Sequence, residues 1–265
     1  MCTLIAGIDV LGPGTLVLGA NRDEAPERAS AGPSILHDRP RVVGGRDLVA
    51  GGTWLAVREG RAVTALMNRR SRPDPQVALP TGGLRSRGLL CLEAAIAGPP
   101  RDAPHTIDPG TGERYPARLE AALALIQRGA YAACTLVGLD VEEPSWALFV
   151  ESGRATEKQA LGEGWHVVTH ADVDDPNEPR AAWILRQIVR FAPRDAGEAL
   201  DQVADLLRVH SEPDAGIPGV CLHRERFPTV SSTLLALGNV GSPIYRHAAG
   251  PPCTVPYLDM SGLLA

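Results

Sequence analysis

The sequence predicts a mixed α+β fold of antiparallel sheets with helices packed on their outer faces, and three observations predict it. Short apolar runs come in adjacent pairs separated by tight turns, the mark of β-hairpins. Between these pairs lie stretches whose apolar residues recur every three to four positions, the spacing of helices that cover a sheet. Strands and helices do not alternate one for one, as a parallel sheet with crossover helices would require.

The first hairpin runs from Cys2 to Val10, turns through Leu11-Gly12-Pro13-Gly14 and returns from Thr15 to Ala20, delivering Asn21-Arg22-Asp23-Glu24 at its end. A second pairs Trp54–Val57 with Ala62–Leu66 about Glu59-Gly60 and ends at Asn68. Helical periodicity follows at Leu89–Ile96 and around Leu119, Leu123 and Ile126. It returns at Ile184 and Ile188, and again at Ala199, Leu200, Val203, Leu206 and Leu207. Further strands are expected at Cys134–Leu139, Trp146–Val150, Trp165–Val168, Ser231–Leu237 and Pro243–Arg246. Proline-rich, polar stretches at Ser71–Thr81 and Gly98–Pro116 read as surface loops within one domain spanning 1–265.

With 265 residues, 44% hydrophobic and 22% charged, the chain has the composition of an ordinary globular protein able to bury a large core. Its formal charge of −5, with no isolated basic tract, argues against a nucleic-acid partner. Asp9 interrupts the first apolar run and no basic segment precedes it, so neither a signal peptide nor a membrane span is expected, and a cytoplasmic location is. The five cysteines lie far apart without a Cys-x-x-Cys pair, which indicates neither a disulfide framework nor a zinc site.

Cys2 stands apart by position. Removal of Met1 would place an α-amino group, with an ordinary pKa of about 7.7–8.0, on the same residue as a thiol of about 8.5, so one residue could supply nucleophile and base. Arg22 could favour the thiolate, Asn68 could stabilise an oxyanion, and Asp23 could orient the nucleophile and pair with Arg22. Antiparallel pairing of the first two strands would bring Arg22 and Asp23 beside Cys2. For Gly51-Gly52-Thr53-Trp54 the favoured role is a turn entering a strand whose Trp54 fills the core. Ser86-Arg87-Gly88 fits an anion site at a helix start and an exposed first turn equally well.

Met1-Cys2-Thr3-Leu4 followed by Asn21-Arg22-Asp23-Glu24 resembles the NRDE family, whose animal members are called transport and Golgi organisation protein 2. The resemblance continues through Gly51-Gly52-Thr53-Trp54, Asn68-Arg69-Arg70, Ser86-Arg87-Gly88, Asp175-Pro176 with Pro179-Arg180, Thr229-Val230-Ser231-Ser232 and Ala249-Gly250-Pro251-Pro252. It implies an N-terminal-nucleophile hydrolase-like fold, a four-layer αββα sandwich similar to that of the cysteine penicillin and bile-salt acylases. By that resemblance Cys2, Arg22, Asp23 and Asn68 are the catalytic residues, Asn21, Thr135 and Ser231 contact substrate, and the activity is amide hydrolysis or acyl transfer on a small molecule without a cofactor. Two positions differ from related acylases: Thr135 replaces an asparagine and Val230 an arginine. The family also suggests an alternative, haem trafficking, in which haem would be the ligand. Of His37, His105, His166, His170, His210, His223 and His247, no pair has diagnostic spacing for an iron ligand set.

Overall fold

The computed structural model describes residues 2–70, 83–97, 106–107, 114–151 and 154–265. The loop expected at Ser71–Thr81 lies outside the described residues, as does Gly98–Pro116 apart from 106–107 and 114–116. In chain order the elements begin with β1 (Thr3–Ile8), β2 (Thr15–Asp23), β3 (Ser30–His37), β4 (Val42–Asp47), β5 (Leu55–Arg58), β6 (Ala62–Asn68) and α1 (Arg87–Ile96). There follow β7 (Thr106–Ile107), β8 (Arg114–Tyr115), α2 (Ala117–Gln127), β9 (Cys134–Asp140), β10 (Ser145–Glu151), β11 (Arg154–Leu161) and β12 (Gly164–Val168). The last are α3 (Pro179–Ile188), α4 (Ala196–Leu207), β13 (Thr229–Gly238), β14 (Ile244–Ala248) and β15 (Leu258–Asp259).

The chain clusters into two compact units, Met1–Pro33 with Glu163–Ala265, and Ser34–Gly162. In the first unit the strand order is β12-β1-β2-β13-β14-β15, with every pairing antiparallel. One face of this sheet is apolar: Ile5, Val17, Val167 and Leu234 meet Ile184 and Ile188 of α3 and Leu200, Val203 and Leu207 of α4. Asp195 caps α4 by accepting from the Glu198 amide (2.9 Å), and Glu178 caps α3 by accepting from the Ala181 amide (2.7 Å). Gly19 makes the α4 contact close, because a Cβ there would run into Val203.

The second unit has the order β11-β10-β9-β6-β5-β4-β3, its pairings from β4 to β11 antiparallel. Its core joins Leu90 and Cys91 of α1 and Leu119 and Ile126 of α2 to Leu136, Trp146 and Leu148 of the sheet. Cys91 and Cys134 are buried there as small apolar side chains. Gly52 is fixed by a backbone approach rather than by a ligand. A Cβ at this position would fall on the Gly88 carbonyl, and the Thr53 amide donates to Gly88 O at 3.0 Å. Trp54, expected in the core, is only partly buried, and Leu55 takes the interior position. Arg87 Nη1 donates to Ala133 O at 3.0 Å, so Ser86-Arg87-Gly88 fastens the start of α1 to the segment entering β9.

Strand β14 carries His247, buried with its Nδ1 3.1 Å from Thr233 Oγ1. Burial pulls its imidazole from the ordinary 6.5 to about 4. The unfolded chain therefore takes up a proton that the folded chain refuses. Stability is intact above about pH 6.5 and falls as pH drops through about 4, by about 3 kcal/mol from this one group. Urea unfolding at pH 7 and pH 4 is expected to show a smaller acid loss in His247→Gln than in the parent. An equal loss in both would contradict this assignment.

Candidate functional site

The first hairpin sets the geometry around Cys2. Asp9 takes a positive φ of 56° at the turn, and its Oδ1 accepts from the amides of Gly14 (2.7 Å) and Thr15 (3.2 Å). That fixes the register Thr3↔Asn21, which places Cys2 beside the end of β2. The Cys2 thiol meets the main chain of Asp23: Sγ accepts from the Asp23 amide at 3.4 Å and donates to its carbonyl at 3.7 Å.

The Asp23 carboxylate is buried. Thr229 Oγ1 donates to Oδ1 at 2.7 Å, and Arg180 Nη1 lies 3.7 Å from Oδ2. The same Arg180 Nη1 donates to Thr3 Oγ1 at 2.8 Å, so the guanidinium at the start of α3 braces β1 and Asp23 together. Arg22 Nη1 donates to Ser30 Oγ at 3.0 Å, and its Nη2 lies 3.8 Å from Glu24. The sequence reading missed Arg180 as a partner of this cluster. Its signal was the Pro179-Arg180 fragment of the family pattern, to which no role had been given.

The electrostatics follow from this enclosure. The Cys2 thiol is pushed up, first by burial and then by the charge of Asp23, while the Asp23 amide hydrogen bond and Arg22 act in the opposite direction. The Asp23 carboxyl is likewise raised by burial, against the Thr229 hydrogen bond and Arg180. Removing the acidic charge should therefore release the thiolate at lower pH. In Asp23→Asn the pH midpoint of Cys2 alkylation by iodoacetamide is expected to fall, and a midpoint unchanged or higher would contradict the account.

Asn21 and Ser231 belong to the same unit. Asn21 is buried, and its Nδ2 donates to Leu207 O (2.8 Å) and Val220 O (3.1 Å), which fastens the exit of α4, while its Oδ1 has no hydrogen-bond partner among the described residues. Ser231 pairs with Arg22 across β2 and β13, and the register slips between Thr229 and Ser231. Val230 is thus the extra residue of a bulge beside Asp23. Ser232 is satisfied locally by Ala20 O (3.2 Å) and Tyr257 Oη (2.7 Å), whereas Thr229 serves Asp23.

Asn68 and Thr135 lie in the second unit. They are brought to one end of the pair β6 and β9, where Asn68 is opposite Cys134 and Met67 is opposite Thr135. Asn68 is exposed at its strand end, whereas Thr135 is fully buried and its hydroxyl has no hydrogen-bond partner among the described residues.

The histidines divide by their contacts. His37 Nδ1 is 2.8 Å from Pro40 O, His166 Nδ1 is 2.7 Å from Asp174, and His247 faces Thr233, all local arrangements. His105 lies outside the described residues. His210 and His223 are in contact with each other, Nε2 to Nε2 at 3.3 Å. Among the described residues no helix is long and apolar enough to cross a membrane.

Solved structures share this fold, and two of them illustrate it. A Caenorhabditis elegans N-acylethanolamine-hydrolyzing acid amidase ortholog superposes with a TM-score of 0.54 at 12% identity, covering 89% of this chain and 92% of its own. A mutant conjugated bile acid hydrolase from Clostridium perfringens superposes with a TM-score of 0.50 at 11% identity, covering 100% and 94%. These likenesses identify the α+β, N-terminal-nucleophile hydrolase fold. A sequence comparison with curated proteins finds no match. A family model described as Transport and Golgi organisation 2 matches residues 1–233.

Proposed function

The chain belongs to the Transport and Golgi organisation 2 family, and from that premise we propose that it is an N-terminal-cysteine hydrolase that cleaves a small amide once Met1 is removed. The observation that carries this reading is the seating of Cys2 Sγ on the Asp23 main chain, next to a buried carboxylate braced by Arg180 and Thr229. A nucleophile needs a fixed orientation and a nearby base, and removal of Met1 supplies the base on the nucleophile's own residue. In the proposed reaction the α-amine takes the thiol proton as Sγ attacks the amide carbonyl. The C–N bond then breaks, the same proton leaves with the amine product, and a thioester on Cys2 remains. Water hydrolyses the thioester to the acid and regenerates the thiol. Asp23 holds the ammonium through its carboxylate.

The fold neighbours support the reaction class, since both are named as hydrolases, one of them an amidase. The test is incubation of the purified protein with a library of acyl amides, followed by mass spectrometry of the N-terminal peptide. The expected result is a peptide that begins at Cys2 and carries an acyl mass on its sulfur. A peptide that keeps Met1, or one that stays unacylated throughout the library, overturns the proposal.

A further inference from the structure

Cys221, His223, His210 and Cys253 converge on one point of the first unit. Their ligand atoms all lie within 4.8 Å of one another. Cys221 Sγ is 3.5 Å from Cys253 Sγ and 3.8 Å from His223 Nε2, while His223 Nε2 is 3.1 Å from Cys253 Sγ and 3.3 Å from His210 Nε2. A tetrahedral Zn²⁺ bound at about 2.3 Å by sulfur and about 2.0–2.1 Å by nitrogen has edges of roughly 3.8 Å (S to S), 3.6 Å (S to N) and 3.3 Å (N to N). The four measured edges lie within about half an ångström of those values. The two sulfurs stand well beyond the roughly 2.05 Å of a disulfide.

We propose that these four side chains form a structural Cys₂His₂ site for Zn²⁺. Two thiolates and two imidazoles are borderline-soft donors, which suit zinc and exclude calcium and magnesium as the resident ion. Four protein ligands complete a tetrahedron and leave no position for water or substrate, so the ion fastens the chain rather than activating a nucleophile. It ties the exit of α4 at His210 to the segment before β13 and to the loop after β14. Linear order hides the site, because His210 and Cys253 stand 13 residues before and 30 residues after His223.

What the ion holds is specific. Leu222, between two of the ligands, exchanges hydrogen bonds with Thr229: its amide donates to Thr229 Oγ1 at 2.9 Å, and its carbonyl accepts from the Thr229 amide at 2.9 Å. Thr229 is the residue that donates to Asp23. The site therefore anchors a partner of the Cys2 cluster, yet it stands on its own geometry and holds whether or not Cys2 is catalytic.

The test uses the full chain, reduced and stripped of metal, titrated with Zn²⁺ alone and with Co²⁺ alone. The expected result is one ion per chain, a thiolate-to-cobalt charge-transfer band with the intense visible absorption of a tetrahedral site, and a higher melting temperature on zinc loading. His210→Ala and His223→Ala replace exposed side chains and should keep the parent's far-UV circular dichroism, while Zn²⁺ affinity falls on the order of a hundredfold or more. The double variant Cys221→Ser/Cys253→Ser should lose the charge-transfer band. Sub-stoichiometric uptake by the parent, or uptake unchanged in both histidine variants, overturns the assignment.

Discussion

Cys2→Ala is expected to abolish amide turnover and thioester trapping together, a loss of roughly a thousandfold or more, equivalent to about 4 kcal/mol of transition-state stabilisation. The fold should survive the change. The residue is half-buried and its thiol makes two long sulfur hydrogen bonds to Asp23, of 3.4 and 3.7 Å, so little packing is removed. A companion variant separates the thiol from the amine. Inserting a lysine between Met1 and Cys2 blocks methionine removal and keeps the sulfur while burying the base in a peptide bond. If the α-amine is the proton carrier, this protein should still be alkylated at Cys2 by iodoacetamide yet fail to turn over acyl amides. Turnover equal to the parent in either variant would rule out the N-terminal mechanism.

Gly52→Ala is expected to lower stability by roughly 3 kcal/mol, whereas Gly51→Ala should cost about 1 kcal/mol. The two neighbours differ in what a methyl group would meet. At Gly51 there is open space and only the φ of +77° resists a side chain. At Gly52 the obstacle is the Gly88 carbonyl, backbone at the start of α1 that cannot turn aside as a side chain would. The same addition at Gly19 meets side-chain carbons of Val203 and Leu207 rather than backbone, so its cost should be intermediate. Urea unfolding of the three variants gives the order directly. A Gly52→Ala loss no greater than that of Gly51→Ala would show that the approach to Gly88 does not hold the sheet and helix together.

The buried strands and helices were readable because their apolar residues repeat with a clear period. The β1–β2 hairpin, β5–β6, β9, β10, α1 and α4 begin and end within a few residues of the sequence expectation, and α2 and α3 contain the apolar positions that announced them. The strands that went unread include β3 and β11, the two edges of the second sheet, and β4 beside one of them. Strand β3 is mostly exposed and contains Gly32 and Pro33, and β11 reads Arg-Ala-Thr-Glu-Lys-Gln-Ala-Leu. An edge strand profits from charge and proline because they discourage pairing with other chains, and the same residues erase the alternation that a sequence reading depends on. The candidate site divides in the same way. Asp23 was placed beside Cys2 by hairpin register alone, a local matter. Arg180 and Thr229 reach the cluster across 177 and 206 residues, from Thr3 and Asp23 respectively, and no periodicity carries that information.

Strand β2 lies between β1 and β13 in its sheet, so this hairpin is flanked on one side by a strand made about 206 residues later. On a ribosome the β1–β2 hairpin must wait, one edge bare, until α3 and β13 have emerged. Asp23 acquires Arg180 and Thr229 only then. Removal of the leading methionine can precede that moment, but the surroundings that would make the exposed cysteine a working nucleophile cannot. Under the proposed mechanism the thiol would become competent only in the folded protein, and the nascent chain would be left unharmed.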